Sequence, residues 1–486
     1  MSDREFTDKE AGLVNVTGTS SDGDSHGAVT PFEWTKEEED RARRKVDSVV
    51  LPLLMLGFFA LQLDRGNIGN ALTDFFFRDV GITQNQFNIG QQLLSLGIVL
   101  FEIPSNIVLY RVGPAIWIGS QIVAWGLVAT FQAWQKGVGA FLATRFLLGA
   151  FESGFIPAGL YTITRWYTQA ETSKRFSWYF VGNMTASATS GLIAYGILHM
   201  RGVKGLAGWQ WLFIIEGVFT IAVGIVFIAL FPRSTSNPVS LLGYRFITER
   251  ESQILTARVL RDDPSKIHAK THVSRTELKD ALTNWRLIPH IILTICGLAP
   301  VAVLGSYGPS IIISFGFDRL RSNAMSSIGA WILLFINLLW GYLADRWGRR
   351  GPLVFLGILF YVSFMIANRV LVGNANGNLK FAFLTLAFAF SAPWHPVNGS
   401  WMSLNAQSAG ERSITMAILI MSANTSGIVG SQLFQQQDAP LYRTGWSVII
   451  ALVTIALTAA GVANFQYWAL NRRLRRRGEG EAKYKL

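Results

Sequence analysis

Apolar stretches long enough to cross a bilayer recur along the chain. They fall at about residues 46–71, 86–110, 115–134, 138–164, 176–199 and 208–231, and then at 287–314, 324–344, 352–372, 380–404, 412–435 and 445–469. A helix rises 1.5 Å per residue, so about 20 apolar residues span the ~30 Å hydrocarbon core. A polar segment, 232–285, separates six spans from six. The pattern predicts an all-α polytopic membrane protein of about twelve helices in two six-helix halves, 46–231 and 286–470. Residues 1–45, rich in Ser, Thr, Asp and Gly, read as a disordered tail, and 471–486 as a basic tail. Thr248-Glu249-Arg250-Glu251 predicts short surface helices in the central segment.

Composition agrees. Of 486 residues, 50% are hydrophobic and 15% charged, and the mean hydropathy is +0.32. A net charge of +12 could suggest a nucleic-acid partner. Here the basic residues cluster between spans, which fits the positive-inside rule and not nucleic-acid binding. Arg41, Arg43, Arg44 and Lys45 precede the first span, and Lys174 and Arg175 the fifth. Arg346, Arg349 and Arg350 follow the eighth, and Arg472, Arg473, Arg475, Arg476 and Arg477 the last. Both termini and the central segment are therefore expected in the cytosol, with membrane lipid around the bundle and the plasma membrane as its site. Arg201, Lys204, Arg319 and Arg321 fall on the outer side against the rule. No signal peptide is visible, so the first span would act as the insertion signal. The single cysteine, Cys296, lies in an apolar run and excludes an internal disulfide. No GxxxxGK followed by Ser or Thr is present, and no His/Cys cluster suits a metal. Neither an enzyme nor a cofactor is expected.

Charges inside the spans carry the chemistry. Leu63-Asp64-Arg65-Gly66-Asn67 follows an uncharged run, Val49 to Leu63, of about 22 Å, so Asp64 and Arg65 lie at membrane depth. Each costs on the order of 2.5–3.5 kcal/mol there unless it faces a protein interior or a water-filled cavity with partners. The two differ by about 100° around the helix and cannot pair well with each other. Arg145 and Glu152 in the fourth span are seven residues apart, which sets them within about 20° on one face. Two carboxylates and two guanidiniums make a neutral constellation, the least costly way to hold four charges in a membrane.

Residues 341–350 read GYLADRWGRR after the eighth span. Residues 106–115, NIVLYRVGPA, repeat its Arg and Gly after the second span, at an offset of 235 (348 minus 113). The pattern GxxxDRxGRR resembles the cytoplasmic loop signature of the major facilitator superfamily. Gly341, Asp345, Arg346, Gly348, Arg349 and Arg350 then match a gating motif. The resemblance implies that Asp345 is a latch facing a helix N-terminus and arginines. LDRGNIGNA (63–71), RFLLGAFESGFIP (145–157) and GWQWLFIIEG (208–217) resemble, more narrowly, the fungal anion:cation symporters of allantoate-permease type. They are also similar to the sialin, vesicular glutamate and bacterial sugar-acid group. That likeness implies Asp64 and Glu152 as proton-coupling carboxylates. It implies Arg65 as the ligand of a substrate anion, with Arg145 paired to the carboxylates beside it. Gly66 and Ser153 depart from the residues common in relatives, without touching the charges.

Other polar residues read two ways. Glu102 is a cavity residue or a structural partner. Tyr307 is an anion donor or a packed aromatic. Pro393-Trp394-His395-Pro396 breaks the tenth span, which frees backbone groups for a ligand or makes a hinge. His395 and Asn398 are candidate ligands there, although a lone His is more often structural. The sequon at Asn398 lies at membrane depth and is discounted. Asn424 and Ser426 are candidate donors or packing residues. The expected function is proton-coupled symport of a small organic or inorganic anion, by alternating access in a monomer. The alternatives are an exporter working by proton antiport and a nutrient receptor that does not transport. Which anion is carried does not follow from the sequence.

Overall fold

The computed structural model describes residues 32–262, 283–406 and 409–476, with Lys279 and Tyr484. The described chain is helical apart from turns and one isolated bridge between Val239 and Arg245. Twelve long helical elements follow the predicted spans. They are α1 (Lys36–Ala71), α2 (Gln84–Val112), α3 (Pro114–Phe131), α4 (Gly137–Glu152 and Phe155–Trp166), α5 (Gln169–Leu198) and α6 (Gly208–Leu230). The second set is α7 (Ile288–Ser314), α8 (Arg321–Trp347), α9 (Arg350–Leu371), α10 (Gly377–Ala389 and Trp394–Leu404), α11 (Ala409–Gly430) and α12 (Arg443–Arg476). Among the described residues, nine helical stretches are long and apolar enough to cross a membrane. α5, α10 and α11 are not among the nine: α10 is broken, α5 carries small polar residues that prove to face the interior, and α11 is apolar over the shorter stretch Ile414–Gly430.

Two boundaries differ from the sequence reading. The tail expected to reach residue 45 gives way to helix at Lys36, because Thr35 and Glu38 form a reciprocal capping box. The charged start of α1 then pairs with a helix of the central segment, Glu249–Asp262. Lys45 meets Glu251 at 2.8 Å, Arg250 meets Glu38 at 2.7 Å and Arg258 meets Glu39 at 3.1 Å. α12 likewise runs on into the basic tail, to Arg476. These features, with the α2–α3 and α8–α9 turns, lie at one end of the bundle, called here the basic end. The two turns share a glycine of positive φ, extended in ψ at Gly113 and left-handed helical at Gly348. α2 and α8 end on Gly113 and Gly348, whose φ values of 89° and 61° only glycine adopts without strain.

The halves meet through α5 with α8, α2 with α11 and α1 with α7. Hydrogen bonds between the halves cluster at the end opposite the basic one. Asn88 and Gln84 donate to the Phe434 carbonyl at 2.8 and 3.1 Å, and Tyr307 donates to Asn88 at 2.5 Å. Asp74, fully buried, accepts from Arg201 at 2.9 Å, from Arg319 of the second half at 2.5 Å and from the Trp209 amide at 3.0 Å. Asn323 of α8 donates to Thr73 at 2.9 Å. Backbones come close here. A Cβ on Gly191 would lie 2.2 Å from the Asn323 carbonyl oxygen, and one on Gly69 2.7 Å from that of Gly305. The apolar core of the second half continues at this end into Phe76, Phe87, Phe141 and Trp209 of the first. At the basic end, by contrast, the flank of α2 from Leu100 to Val112 exposes Leu100, Ile103, Ile107 and Tyr110.

Candidate functional site

A cavity of about 550 Å³ lies between the halves. Gln62, Arg65 and Asn70 of α1, Gln91 of α2 and Ser190 of α5 line it from the first half. Ser306, Ser326, Asn424 and Ser431 do so from α7, α8 and the α11 region. Ser391, at the break in α10, also reaches the wall. Polar positions of α5 and α11 thus face this space, which explains why α5 looks less apolar than a lipid-facing span. The charged residues in the described wall are Arg65 and Arg145; no carboxylate lines it.

The carboxylates sit behind that wall. Arg65 donates from Nε to Glu152 Oε2 at 2.6 Å, and a quarter of its side chain stays exposed, while the Glu152 side chain is sealed. Arg145 is fully buried, donates to Gln132 and lies 5.7 Å over the Phe141 ring. Asp64 accepts from Thr220 of α6 at 2.9 Å through Oδ2. The proximity follows from the helices. Asp64 and Arg65 point about 100° apart, so one turns to α6 and the other to α4. Glu152 ends the first segment of α4, because Ser153 is extended and Gly154 has φ 75°. The carbonyls freed there are taken by Gln121, which donates to Ser153 O at 2.6 Å and Phe151 O at 3.2 Å. The break holds Glu152 at the bend, against Arg65.

The chain matches the Major Facilitator Superfamily model over residues 54–431. It belongs to that superfamily. An uncharacterized transporter of Saccharomyces cerevisiae is 31% identical over 449 residues, covering 91% of this chain and 82% of that one. A protein of Agrobacterium vitis named for tartrate transport is 28% identical over 316 residues, 65% of this chain and 68% of that one. The fold is that of a bacterial homologue of the lysosomal transporter Spinster (TM-score 0.66, 15% identity, 88% and 97% covered). It is equally that of the Escherichia coli xylose transporter (0.63, 16%, 85% and 97%). The twelve-helix, two-half architecture is therefore the major facilitator fold, and the protein is a membrane transporter by family.

The structure brings some of the sequence candidates together and not others. Asp64, Arg65, Arg145 and Glu152 form one cluster, as the helix geometry required. Asn424 lines the cavity and donates to Glu102 at 3.2 Å across the halves, so Glu102 is an inter-half partner. Tyr307 is placed outside the cavity wall, in an aromatic cluster with Phe87, Phe434 and Tyr442 at the end opposite the basic one, called here the closed end because the halves bond to each other there. Asn398 is buried inside the second half, with His290 Nδ1 at 2.7 Å and Thr294 at 3.3 Å. His395, next to the α10 break, is outside the wall too. The gating motif sits at the basic end: Gly341 is in α8, Gly348 ends it, and Arg346 and Arg349 are exposed. Asp345 is 81% exposed and accepts from Arg350 of its own half at 3.1 Å; Arg350 also donates to Ser400 at 2.8 Å. One acid is missed by the sequence reading. Glu216, inside GWQWLFIIEG, is buried beside Asp64. Its signal is that of a lone acid in an otherwise uncharged 23-residue helix.

Proposed function

We propose that the protein carries a small anion across the membrane together with a proton, by alternating access around the central cavity. The observation behind this reading is the wall itself: the open Arg65 guanidinium with Arg145 sealed against it, amides and hydroxyls, and no carboxylate among its described residues. Such a surface suits a carboxylate or oxyanion bearing further polar groups. Arg65 is its anchor, because its guanidinium meets Glu152 through Nε while a quarter of the side chain stays open to the cavity.

The same bond supplies the coupling. With Arg65 on Glu152, both charges are satisfied without an anion. An anion that takes Arg65 leaves Glu152 buried without its partner, a state relieved by protonation. Anion and proton then strengthen each other's binding reciprocally, typically by 5- to 150-fold. Asp64 is the second coupling candidate, held by Thr220 behind the same wall. With the basic end in the cytosol, as the Lys/Arg distribution supports, the closed end faces outward and the gating motif inward.

The test is uptake by the full chain in proteoliposomes, with tartrate as first probe and a set of small mono- and dicarboxylates, phosphate and sulfate beside it. An acid-outside gradient should drive accumulation of at least one. Arg65→Lys keeps the charge but loses the fork geometry and should weaken apparent affinity about 10- to 100-fold, the worth of a charge-assisted bond of 1.5–3 kcal/mol. Arg65→Ala should abolish uptake. Near-normal uptake by Arg65→Ala would remove Arg65 as the anchor.

A further inference from the structure

α6 is uncharged from Gly208 to Leu230 except at Glu216. This residue is 2% exposed, and neither carboxyl oxygen has a hydrogen-bond partner. The Asn67 amide faces it without reaching hydrogen-bond geometry. One turn along α6, Thr220 donates to Asp64 Oδ2, and Asp64 Oδ1 is buried with no partner. Residues four apart share a helix face, so Glu216 lies on the face of α6 that Thr220 turns to Asp64, and two helices bring two buried carboxyls to one side of their contact.

The other charges around α6 can be enumerated. α4 brings Arg145 and Glu152, with Arg65 of α1 on Glu152. α3, packed along α6, has no charged residue. α5 has Glu171, Lys174 and Arg175 only near the basic end. Asp74, at the N-terminal end of α6, is held by Arg201 and Arg319. The buried cluster is therefore three carboxyls, Asp64, Glu152 and Glu216, against two guanidiniums, Arg65 and Arg145. A buried carboxylate without a counter-charge is strongly unfavourable, so one of the three stays neutral. Glu152 has its own cation. The excess falls on Asp64 and Glu216.

We propose that Asp64 and Glu216 form a carboxyl pair sharing one proton, which makes Glu216 a third proton-binding residue of the transporter, beside Glu152 and Asp64. One of the two carboxyls carries the proton while the other is the carboxylate; when the proton moves, the O–H bond on one breaks, one forms on the other, and no other bond changes. Such a pair titrates as a unit. Its part in transport rests on the proton-coupled reading above, but its existence does not.

Infrared spectroscopy of the full chain in lipid bilayers tests the pair without any substrate. At neutral pH the wild type should show the carbonyl stretch of a buried carboxylic acid, shifted in D2O. Glu216→Gln, isosteric with the protonated acid, leaves two carboxyls against two guanidiniums and should lose the band. Asp64→Asn balances the charges equally and should lose it too. Glu216→Asp retains three acids and should keep it, which guards against loss through misfolding. Absence of the band in the wild type, or its persistence in Glu216→Gln, overturns the proposal. Loss in Glu216→Gln with retention in Asp64→Asn would mean that Glu216 is neutral through isolation, and overturns the sharing. A failed Arg65 uptake test would leave all of these outcomes readable, so the two readings fail separately.

Discussion

Glu152 is held by one bond to a group that also lines the cavity, so under the proposed function its substitution should separate binding from coupling. Glu152→Gln keeps the size of the protonated acid and removes the charge. Arg65 is then free for the anion at every pH. Accumulation driven by an acid-outside gradient should fall to background, while exchange of labelled for unlabelled anion persists within a few-fold of wild type. Accumulation with unchanged pH dependence would move the coupling role to Asp64. Asp64, Arg65, Arg145 and Glu152 are legible in the amino-acid sequence alone. Membrane depth demands partners for Asp64 and Arg65, and the seven-residue spacing puts Arg145 and Glu152 on one face. What spacing within a helix cannot give is which helix supplies the partner. That Thr220 of α6 serves Asp64, and that Glu216 comes with it, depends on packing between α1 and α6.

At the scale of elements, the arginines that break the positive-inside pattern find their explanation. Arg201 and Arg319 are not topological signals. They are the partners of Asp74, and Arg319 reaches it from the other half. The Asp74 side chain also caps α6 through the Trp209 amide, at the positive end of that helix. Pairing across 245 positions leaves no local trace in the chain, so only the anomaly is visible there. Arg319→Ala should loosen the closed end without touching the cavity. Single cysteines on the α1–α2 and α7–α8 turns, in a Cys296→Ser background, should label several-fold faster than in the parent; equal rates would make the contact ornamental. The helix Glu249–Asp262 is a second element fixed by charge. Burial alone would raise the Glu171 carboxyl, but Arg258 and Arg43 hold it below its ordinary value. A carboxylate with a lowered value contributes stability above its unfolded pKa, about 4.3, and loses it as pH falls through the lower folded value. Amide exchange in this helix, corrected for intrinsic rate, should be flat from pH 7 to about 5 and rise below about 4. A rise beginning near neutrality would point to another group.

At the scale of the molecule, the two ends are unequal, and that asymmetry sets what a latch at Asp345 would do. Hydropathy yields twelve spans and two halves because lipid imposes length and apolarity locally. It cannot yield the state of the halves, which depends on contacts between them. Here those contacts cluster at the closed end, around Asp74, Tyr307 and Asn88, while Asp345 stands 81% exposed and bonds only within its own half, to Arg350. A latch that joined the halves at the basic end would have to leave this exposed setting. Its stabilisation therefore belongs to the opposite conformer, in which the basic end is shut. Asp345→Asn should leave the present arrangement intact and destabilise the other. For a charge-assisted bond of about 1.5–3 kcal/mol, the population ratio should move 10- to 100-fold toward the form open at the basic end. Labelling of cysteines on the basic-end flank of α2 should then rise, labelling at the Asp74 end should fall, and net turnover should drop. Exchange affinity at the cavity should change little, because Asp345 is remote from its wall. Arg319→Ala should push the same equilibrium the other way, and the double variant should return toward the wild-type ratio if the contacts act on one two-state motion. Unchanged labelling at both ends in Asp345→Asn, with normal turnover, would reduce the motif to a basic anchor for lipid headgroups.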